Sequence, residues 1–446
     1  MSVQQLAFPI TQQPAEARLA SSYRERLRAL LSGDLDFHGQ DSGYASHNFH
    51  AFPAKFPPQL PRAFIEELTA PGDIVLDPMV GSGTTIVEAF LSGRRGIGFD
   101  IDPMALRLCR AKVTPLPPEQ AAAAGHQVLL RAQESLQREK DGLHQQMDQR
   151  FGAPEHRFLD YWFLPDTQLE LLALLQEIER LEGLRIREFL ELAFSAIVIT
   201  KSGGVTLARD LAHTRPHKVK DKIPRSPIDE FRKRLNKNLE SLAVLGKEGK
   251  GAAEVHQGDA QSLPLEDQSV DLIVTSPPYA ANAIDYMRAH KFSLVWFGHS
   301  LESLTMLRRE YIGHDAALGV NPLELPVCAS QVVASIALVD SQKASSLRRY
   351  YSEMTRCLAE MARVLKPGKV AIVVVGSSTM RGIDTRTDIC LGEIGKGVGF
   401  ELVGIASRKL DRNRRMLPVR HQSSGTRLQI EQRMHEEYVL GFLKPA

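Results

Sequence analysis

The stretch Ser276-Pro277-Pro278-Tyr279 sets a hydroxyl, two prolines and an aromatic ring directly after a short apolar run, Asp271 to Thr275. Leu272, Ile273 and Val274 make that run read as a buried strand. Two consecutive prolines cannot extend a sheet ladder, because neither has an N–H to donate. They hold the carbonyls before and between them in a stiff, extended loop. The carboxyl end of a strand is where open α/β sheets place ligands. A rigid set of acceptors there suits a two-donor group such as a ring-exterior amine, which Ser276 Oγ and the carbonyl of Ser276 or Pro277 can hold. Tyr279 adds a flat face on which a planar base stacks. The plainer alternative for these four residues is a Pro-Pro turn closing a strand.

A second stretch carries a different chemistry. Gly72 to Asp77 reads as a strand, and it runs into Pro78-Met79-Val80-Gly81-Ser82-Gly83-Thr84-Thr85 before a helix begins. Gly81 and Gly83 let the backbone come close to a ligand, since no Cβ intervenes. The helix N-terminus offers free N–H groups and a positive dipole end to a carboxylate. The pattern is neither a dinucleotide fingerprint, which fails at Ile86, nor a Walker loop, which needs a following Gly-Lys-Ser/Thr. The next strand, Gly96 to Phe99, ends in Asp100-Ile101-Asp102-Pro103. An acid at a strand tip accepts both hydroxyls of a ribose, and Asp100 is the candidate. Asp102, before Pro103, reads as the N-cap of a helix from Met104 to Lys112.

Taken together, Ser276-Pro277-Pro278-Tyr279 and Asp77-Pro78-x-x-Gly81-Ser82-Gly83-Thr84-Thr85 resemble the amino-directed DNA methyltransferases, which methylate the exterior nitrogen of cytosine or adenine. The resemblance covers 47–112 and 255–443. It implies S-adenosylmethionine as cofactor and a catalytic tetrad of Ser276, Pro277, Pro278 and Tyr279. It places Asp77, Pro78, Gly81, Gly83, Thr84, Thr85, Asp100 and Ile101 around the cofactor. Lys55 and Phe56, in the Pro-rich segment His47 to Pro58, would lie against its methionine end. Asp259 and Ala260, in a Gly-Asp-Ala element after the strand-like Val255 to Gln257, would meet its adenine. Ser at the first tetrad position goes with N4 of cytosine in that family, and Asp or Asn with N6 of adenine. An adenine or RNA enzyme on the same core, and a catalytically silent DNA-binding subunit, are the competing readings. No Pro-Cys dipeptide offers the nucleophile that ring-carbon methylation needs.

Composition sets limits around these motifs. The 446 residues allow two or three domains, and 43% hydrophobic with 24% charged residues is ordinary for a globular chain. The four cysteines are scattered without a CxxC pair, so neither a disulfide framework nor a structural zinc site is expected. The N-terminus lacks a secretory pattern and no apolar run reaches membrane-spanning length, which points to the cytoplasm of a bacterial or archaeal cell. A net charge of +2 implies no polyanion by itself. Its distribution says more: Lys201 to Lys237 holds eleven Lys/Arg against four Asp/Glu, a local +7 that leaves −5 for the remainder. Arg215, Lys218, Lys220, Lys222 and Arg225 lie in this run without an apolar stripe. A solvated loop is the bland alternative, and a duplex substrate, whose phosphates need cations, the functional one.

The elements that must position the motifs follow from periodicity. Ala15 to Leu31 reads as an amphipathic helix, and Gln59 to Leu68 as another. Three prolines after Val113 mark a boundary, beyond which helices are expected over Ala121–Met147, Asp166–Leu181, Ile186–Thr200 and Phe231–Leu245. After the tetrad come a helix from Ala283 to Phe297 and an irregular stretch over 300–345, partly helical from Leu304 to Tyr311. A helix from Arg349 to Val364, a Lys366-Pro367-Gly368 turn and a buried strand, Val370 to Val375, follow. A helix from Arg386 to Gly397 precedes two long strands, Phe400 to Leu410 and Glu436 to Leu443. A long basic loop joins them and would carry Arg412, Arg414 and Arg415 over the cleft. The expected fold is α/β: a doubly wound sheet of seven strands closed by an antiparallel hairpin, with a largely helical insertion. The expected division is a helical extension to residue 46, a cofactor half over 47–116, an insertion over 117–254 that reads duplex DNA, and a catalytic half over 255–446. A paired restriction endonuclease is the partner that such an enzyme implies.

Overall fold

The structure is a computed structural model and describes residues 22–53, 55–200, 203–211, 216–280, 285–313, 322–376, 378–410 and 436–446. Its centre is a seven-stranded sheet. Four strands run from the start of the chain to the tetrad: β1 (Ile74–Asp77), β2 (Arg95–Asp100), β3 (Ala252–Gln257) and β4 (Val270–Thr275). The others in this sheet are β5 (Leu365–Gly376), β8 (Glu401–Lys409) and β9 (Glu436–Leu443). A separate two-stranded ribbon, β6 (Thr379–Met380) with β7 (Ile383–Asp384), follows β5. The spatial order is β3-β2-β1-β4-β5-β9-β8, and only β9 runs against its neighbours. This is the doubly wound α/β sheet with the closing antiparallel hairpin.

Both faces of the central strands are apolar, as a parallel sheet covered by helices requires. Side chains alternate across it. Val75, Leu272, Val274, Ile372 and Val439 face one core, where α1 (Tyr23–Ser32) and α2 (Gln59–Leu68) supply Leu27, Leu30, Leu60 and Phe64. Leu76, Ile273, Ala371, Val373 and Leu440 face the other, against α13 (Val327–Ala337), α14 (Ser341–Val364) and α15 (Thr387–Gly397). The glycine loop leads into α3 (Thr84–Leu91), and α4 (Pro103–Val113) follows β2. Asp102 caps α4 by accepting from the N–H groups of Met104 and Ala105.

Among the described residues between α4 and β3 lie six helices: α5 (Pro118–Arg138), α6 (Lys140–Arg150), α7 (Ala153–Trp162), α8 (Pro165–Glu179), α9 (Leu184–Val198) and α10 (Pro227–Glu248). They share one apolar core with Met104 and Leu108 of α4 and with Phe292 and Trp296 from the region of α11 (Met287–Leu294). The two helices α11 and α12 (Leu301–Arg308) follow the tetrad.

Several elements depart from the periodicity reading. The single helix expected over Ala121–Met147 is two, broken at Glu139 where the backbone leaves helical geometry. Helix α7 is an addition to the expected elements: it fully buries Leu159 and packs Phe158 and Trp162 on the same core. The described residues of the stretch 300–345 are more regular than expected: they hold α12, all of α13 and the start of α14. Asp340 supplies the stop-and-start signal by accepting from Lys343 N as the N-cap of α14. Lys366-Pro367-Gly368 falls within the span of β5, where the pairing with β4 slips between Leu365 and Val370 and Gly368 takes φ +74°, so the expected turn is an irregularity inside the strand. The loop between β8 and β9, with Arg412, Arg414 and Arg415, and Arg215 of the basic run lie outside the described residues.

Candidate active site

The order of the sheet reverses between β1 and β4, and it is there that crossovers leave in opposite directions and open a crevice. Thr275, the last residue of β4, donates from Oγ1 to Asp77 Oδ1 at 2.7 Å, and Asp77 is the last residue of β1. Met79 N also donates to Asp77 Oδ1, at 3.2 Å, and starts the loop turning. Burial raises the Asp77 carboxyl to about 6, against the lowering effect of the Thr275 bond.

A cavity lies above this point. Its walls are Asp77, Met79, Val80, Gly81, Ser82 and Thr84 from the glycine loop, Ser276 to Tyr279 from the tetrad, Phe52, Lys55 and Phe56 from the Pro-rich segment, and Tyr286. Two stretches near the start of the chain and the tetrad far downstream therefore face one space. Gly81 has φ +46°, and a Cβ there would come within 3.6 Å of the Phe52 ring, so the loop passes close under that ring. Phe52 stacks on Tyr286, centroids 4.9 Å apart and planes at 25°, forming a flat aromatic wall. Lys55 donates to His47 O at 2.7 Å, which ties the Pro-rich segment back onto the turn before it.

Not every expected cofactor residue lines this cavity. Lys55, Phe56, Asp77, Gly81 and Thr84 do, with all four tetrad residues. Asp100 stands behind the loop: its Oδ2 accepts from Gly81 N at 2.8 Å and its Oδ1 from Asp102 N at 2.9 Å. Burial, with the nearby Asp102 charge, raises the Asp100 carboxyl to about 7. Asp102 itself is held below its ordinary value despite burial, because His290 Nδ1 lies 2.6 Å from its Oδ2. Thr85 is buried and donates to Val274 O at 3.1 Å, which pins α3 to β4. Gly83 has a packing reason of its own: it caps α3 with φ +83°, and a Cβ there would meet Cys109 Sγ at 2.7 Å. Pro78 and Ile101 lie outside the lining. Ala260 is buried in the core, and Asp259 is exposed at the end of β3, with Gln261 N donating to it at 2.9 Å.

The structure adds partners that no local pattern marked. Lys112 is fully buried and donates to Ser82 O at 2.7 Å, and burial beside Lys55 lowers its ammonium to about 7. Tyr279 is buried at 7% exposure, and its hydroxyl donates to Glu437 Oε1 at 2.9 Å. Ser276 Oγ lies 3.5 Å from the Tyr279 oxygen. Residues of β9 reach the tetrad because that strand is antiparallel, so it starts at the edge of the sheet where β1 and β4 end.

In the basic run, Lys218 and Lys220 are exposed, and the Lys218 ammonium sits 4.7 Å from the centroid of the exposed Tyr161 ring. Arg225 is exposed and pairs with Glu230 at 3.4 Å. Lys222 differs from these: it is half-buried, and its ammonium donates to Gly203 O and Ala208 O, both at 2.6 Å. It clasps the loop instead of presenting its charge. Among the described residues, no group of three His, Cys, Asp or Glu side chains could hold a metal ion, and no helix is long and apolar enough to cross a membrane.

Comparison with known proteins places the chain among relatives. A family model described as "DNA methylase" matches residues 34–110, which carry the Pro-rich segment, β1, the glycine loop and β2. The Type II methyltransferase M.MvaI of Kocuria varians is 26% identical over 405 residues, 86% of this chain and 87% of that protein. The Type II methyltransferase M.AvaI of Nostoc sp. is 22% identical over 363 residues, 74% of this chain and 73% of that protein. The Type II methyltransferase M.BglI of Bacillus subtilis is 45% identical over a shorter span of 60 residues, 14% of this chain and 17% of that protein.

Proposed function

We propose that this chain, which belongs to the amino-directed (N6/N4) DNA methyltransferase family, methylates the N4 amine of a cytosine turned out of duplex DNA. The observation that carries the reading is the meeting of Ser276-Pro277-Pro278-Tyr279 with the glycine loop in one cavity at the switch point of the sheet. The cofactor is S-adenosylmethionine, and the cavity suits it: Gly81 brings bare backbone beside an aromatic wall, and Asp100 stands one hydrogen bond behind the loop. When bound, it supplies an electrophilic methyl group.

The protein's own groups then have four tasks. Asp100, ionised, accepts from donor hydroxyls and from Gly81 N. Phe52 and Tyr286 exclude water from one side of the cavity. Ser276 Oγ and the Ser276 or Pro277 carbonyl accept from the amine of the base and favour a more tetrahedral nitrogen, so that its lone pair points along the transfer direction. Positioning of this kind can supply much of the acceleration. The Tyr279 ring receives the base and offsets part of the cost of unstacking it. Ser at position 276 favours cytosine over adenine. The helical region over 117–254, with Lys218, Lys220 and Arg225 exposed, is the part we assign to the duplex, in a cytoplasmic setting beside a paired endonuclease.

The test is chemical. Duplex DNA treated with the protein and S-adenosylmethionine is digested to nucleosides and weighed by mass spectrometry. N4-methylcytosine is expected. N6-methyladenine would move the specificity to adenine, and no methylated base at all would leave a binding subunit.

A further inference from the structure

We infer that Glu437, on the last strand, is a positioning residue that sets the direction of hydrogen bonding at Ser276. The inference rests on the proposed role of Ser276 as acceptor for the base amine. Arg408 and Glu437 are direct cross-strand partners in the β8/β9 pair, and they form an ion pair whose side chains are 3% and 6% exposed. Arg408 Nη1 meets Glu437 Oε2, and Arg408 Nε donates to Leu35 O at 3.0 Å. The guanidinium is thus fixed from two sides and the carboxylate has one oxygen left. That oxygen, Oε1, lies 2.9 Å from the Tyr279 hydroxyl.

A carboxylate only accepts. Tyr279 must therefore spend its single proton on Glu437. Burial and the Glu437 charge both push the Tyr279 phenol well above its ordinary value, so the proton stays in place. The Tyr279 oxygen then has only lone pairs to offer on its other side, where Ser276 Oγ stands at 3.5 Å, the outer edge of hydrogen-bond range. Ser276 can satisfy that contact only by donating. Its proton is drawn away from the cavity, and its own lone pairs face in.

An exocyclic amine offers two N–H donors, so a Ser276 hydroxyl with its proton turned inward would repel it. A carboxylate held by arginine thus makes Ser276 an acceptor through one intervening phenol. The contact reaches past the intervening β5 because β9 begins at the edge of the sheet where β4 ends.

The experiment is a double-mutant cycle in the full-length protein with S-adenosylmethionine and duplex DNA. In Glu437→Gln, the amide must turn its carbonyl to Arg408 and its N–H₂ to Tyr279. Tyr279 then accepts from Gln and donates to Ser276, which occupies a lone pair the amine needs. The single-turnover methylation rate should fall by about two- to tenfold, the span of one neutral hydrogen bond, with cofactor affinity by calorimetry and KM for DNA unchanged. In a Ser276→Ala background the same substitution should cost nothing further. Tyr279→Phe breaks the relay without disturbing the buried ion pair, and its effect on the rate should likewise vanish with Ser276→Ala; this second cycle decides the matter if Glu437→Gln fails to fold. Full additivity in either cycle, in an enzyme that methylates, overturns the relay alone. A folded wild-type protein that methylates no base overturns the relay together with the function on which it rests.

Discussion

Thr275 Oγ1 donates to Asp77 Oδ1 at 2.7 Å, joining the last residue of β4 to the last residue of β1 across the point where the sheet reverses its order. The tetrad and the glycine loop begin at the next residue on either side, so this bond sets their separation. Thr275→Val keeps the shape and removes the donor. A buried carboxyl left without it costs about 1–3 kcal/mol. We expect that loss in urea unfolding, with S-adenosylmethionine affinity weakened as well. Unchanged stability and affinity would show that the strands are held apart by packing alone.

The raised Asp100 carboxyl predicts opposite responses to pH in two measurements. Its value of about 7 lies above the ordinary 3.8, so the neutral form is favoured in the folded protein. Its stabilising contribution is therefore complete at low pH and is lost as pH rises through about 7. Asp77, raised to about 6, acts in the same sense somewhat earlier. Cofactor binding should run the other way, since donor hydroxyls prefer the ionised carboxylate. Between pH 4 and 7, thermal stability of the ligand-free protein should fall while S-adenosylmethionine affinity rises, and both should level off above about 7. Asp100→Asn should flatten both curves. A binding curve that stays flat in the wild type would remove Asp100 from the cofactor's reach.

The two loop glycines should fail differently. Gly83→Ala sets a Cβ against Cys109 Sγ at 2.7 Å in a left-handed conformation, so it should cost stability, about 1–3 kcal/mol for an overpacked site. Cys109→Ala, which removes the nearest atom, should restore part of it. Gly81→Ala meets nothing closer than the Phe52 ring at 3.6 Å, so it should cost only the strain of its left-handed backbone, φ +46°, about 1–2 kcal/mol, while cofactor affinity drops because the added methyl narrows the cavity it lines. If both variants fold normally and both lose only affinity, Gly83 belongs to the ligand site after all.

The basic run divides in the same way. Lys218→Ala with Lys220→Ala should weaken duplex binding and reduce the salt dependence of log K by about two units of slope, roughly 0.9 for each phosphate contact. Lys222→Ala should leave that slope alone and instead loosen the loop, since its ammonium holds Gly203 O and Ala208 O. Limited proteolysis of the loop would show the second effect. An unaltered slope in the double variant would make Lys218 and Lys220 part of a solvated face.

Much of this protein can be read along the chain, because its strands and their motifs are local. Alternating or unbroken apolar runs, glycines at the loop and prolines after Thr275 each express their preference within about ten residues. The doubly wound sheet, the closing hairpin, the cap at Asp102 and the stretches that face the cavity are therefore legible in order. What the tertiary structure decided are the relations between residues far apart. Gly83 is packed against Cys109 on the next helix, and nothing near Gly83 announces that neighbour. Lys222 is one more cation in a run of cations until two carbonyls close on its ammonium. Helix α7 spans only ten residues, and the core that Phe158, Leu159 and Trp162 pack on comes from helices distant in the chain. The partner of Tyr279 comes from 158 residues downstream, on a strand whose antiparallel direction brings its first residues to the site. Local preference names the elements, and the direction and order of the strands determine which side chains meet.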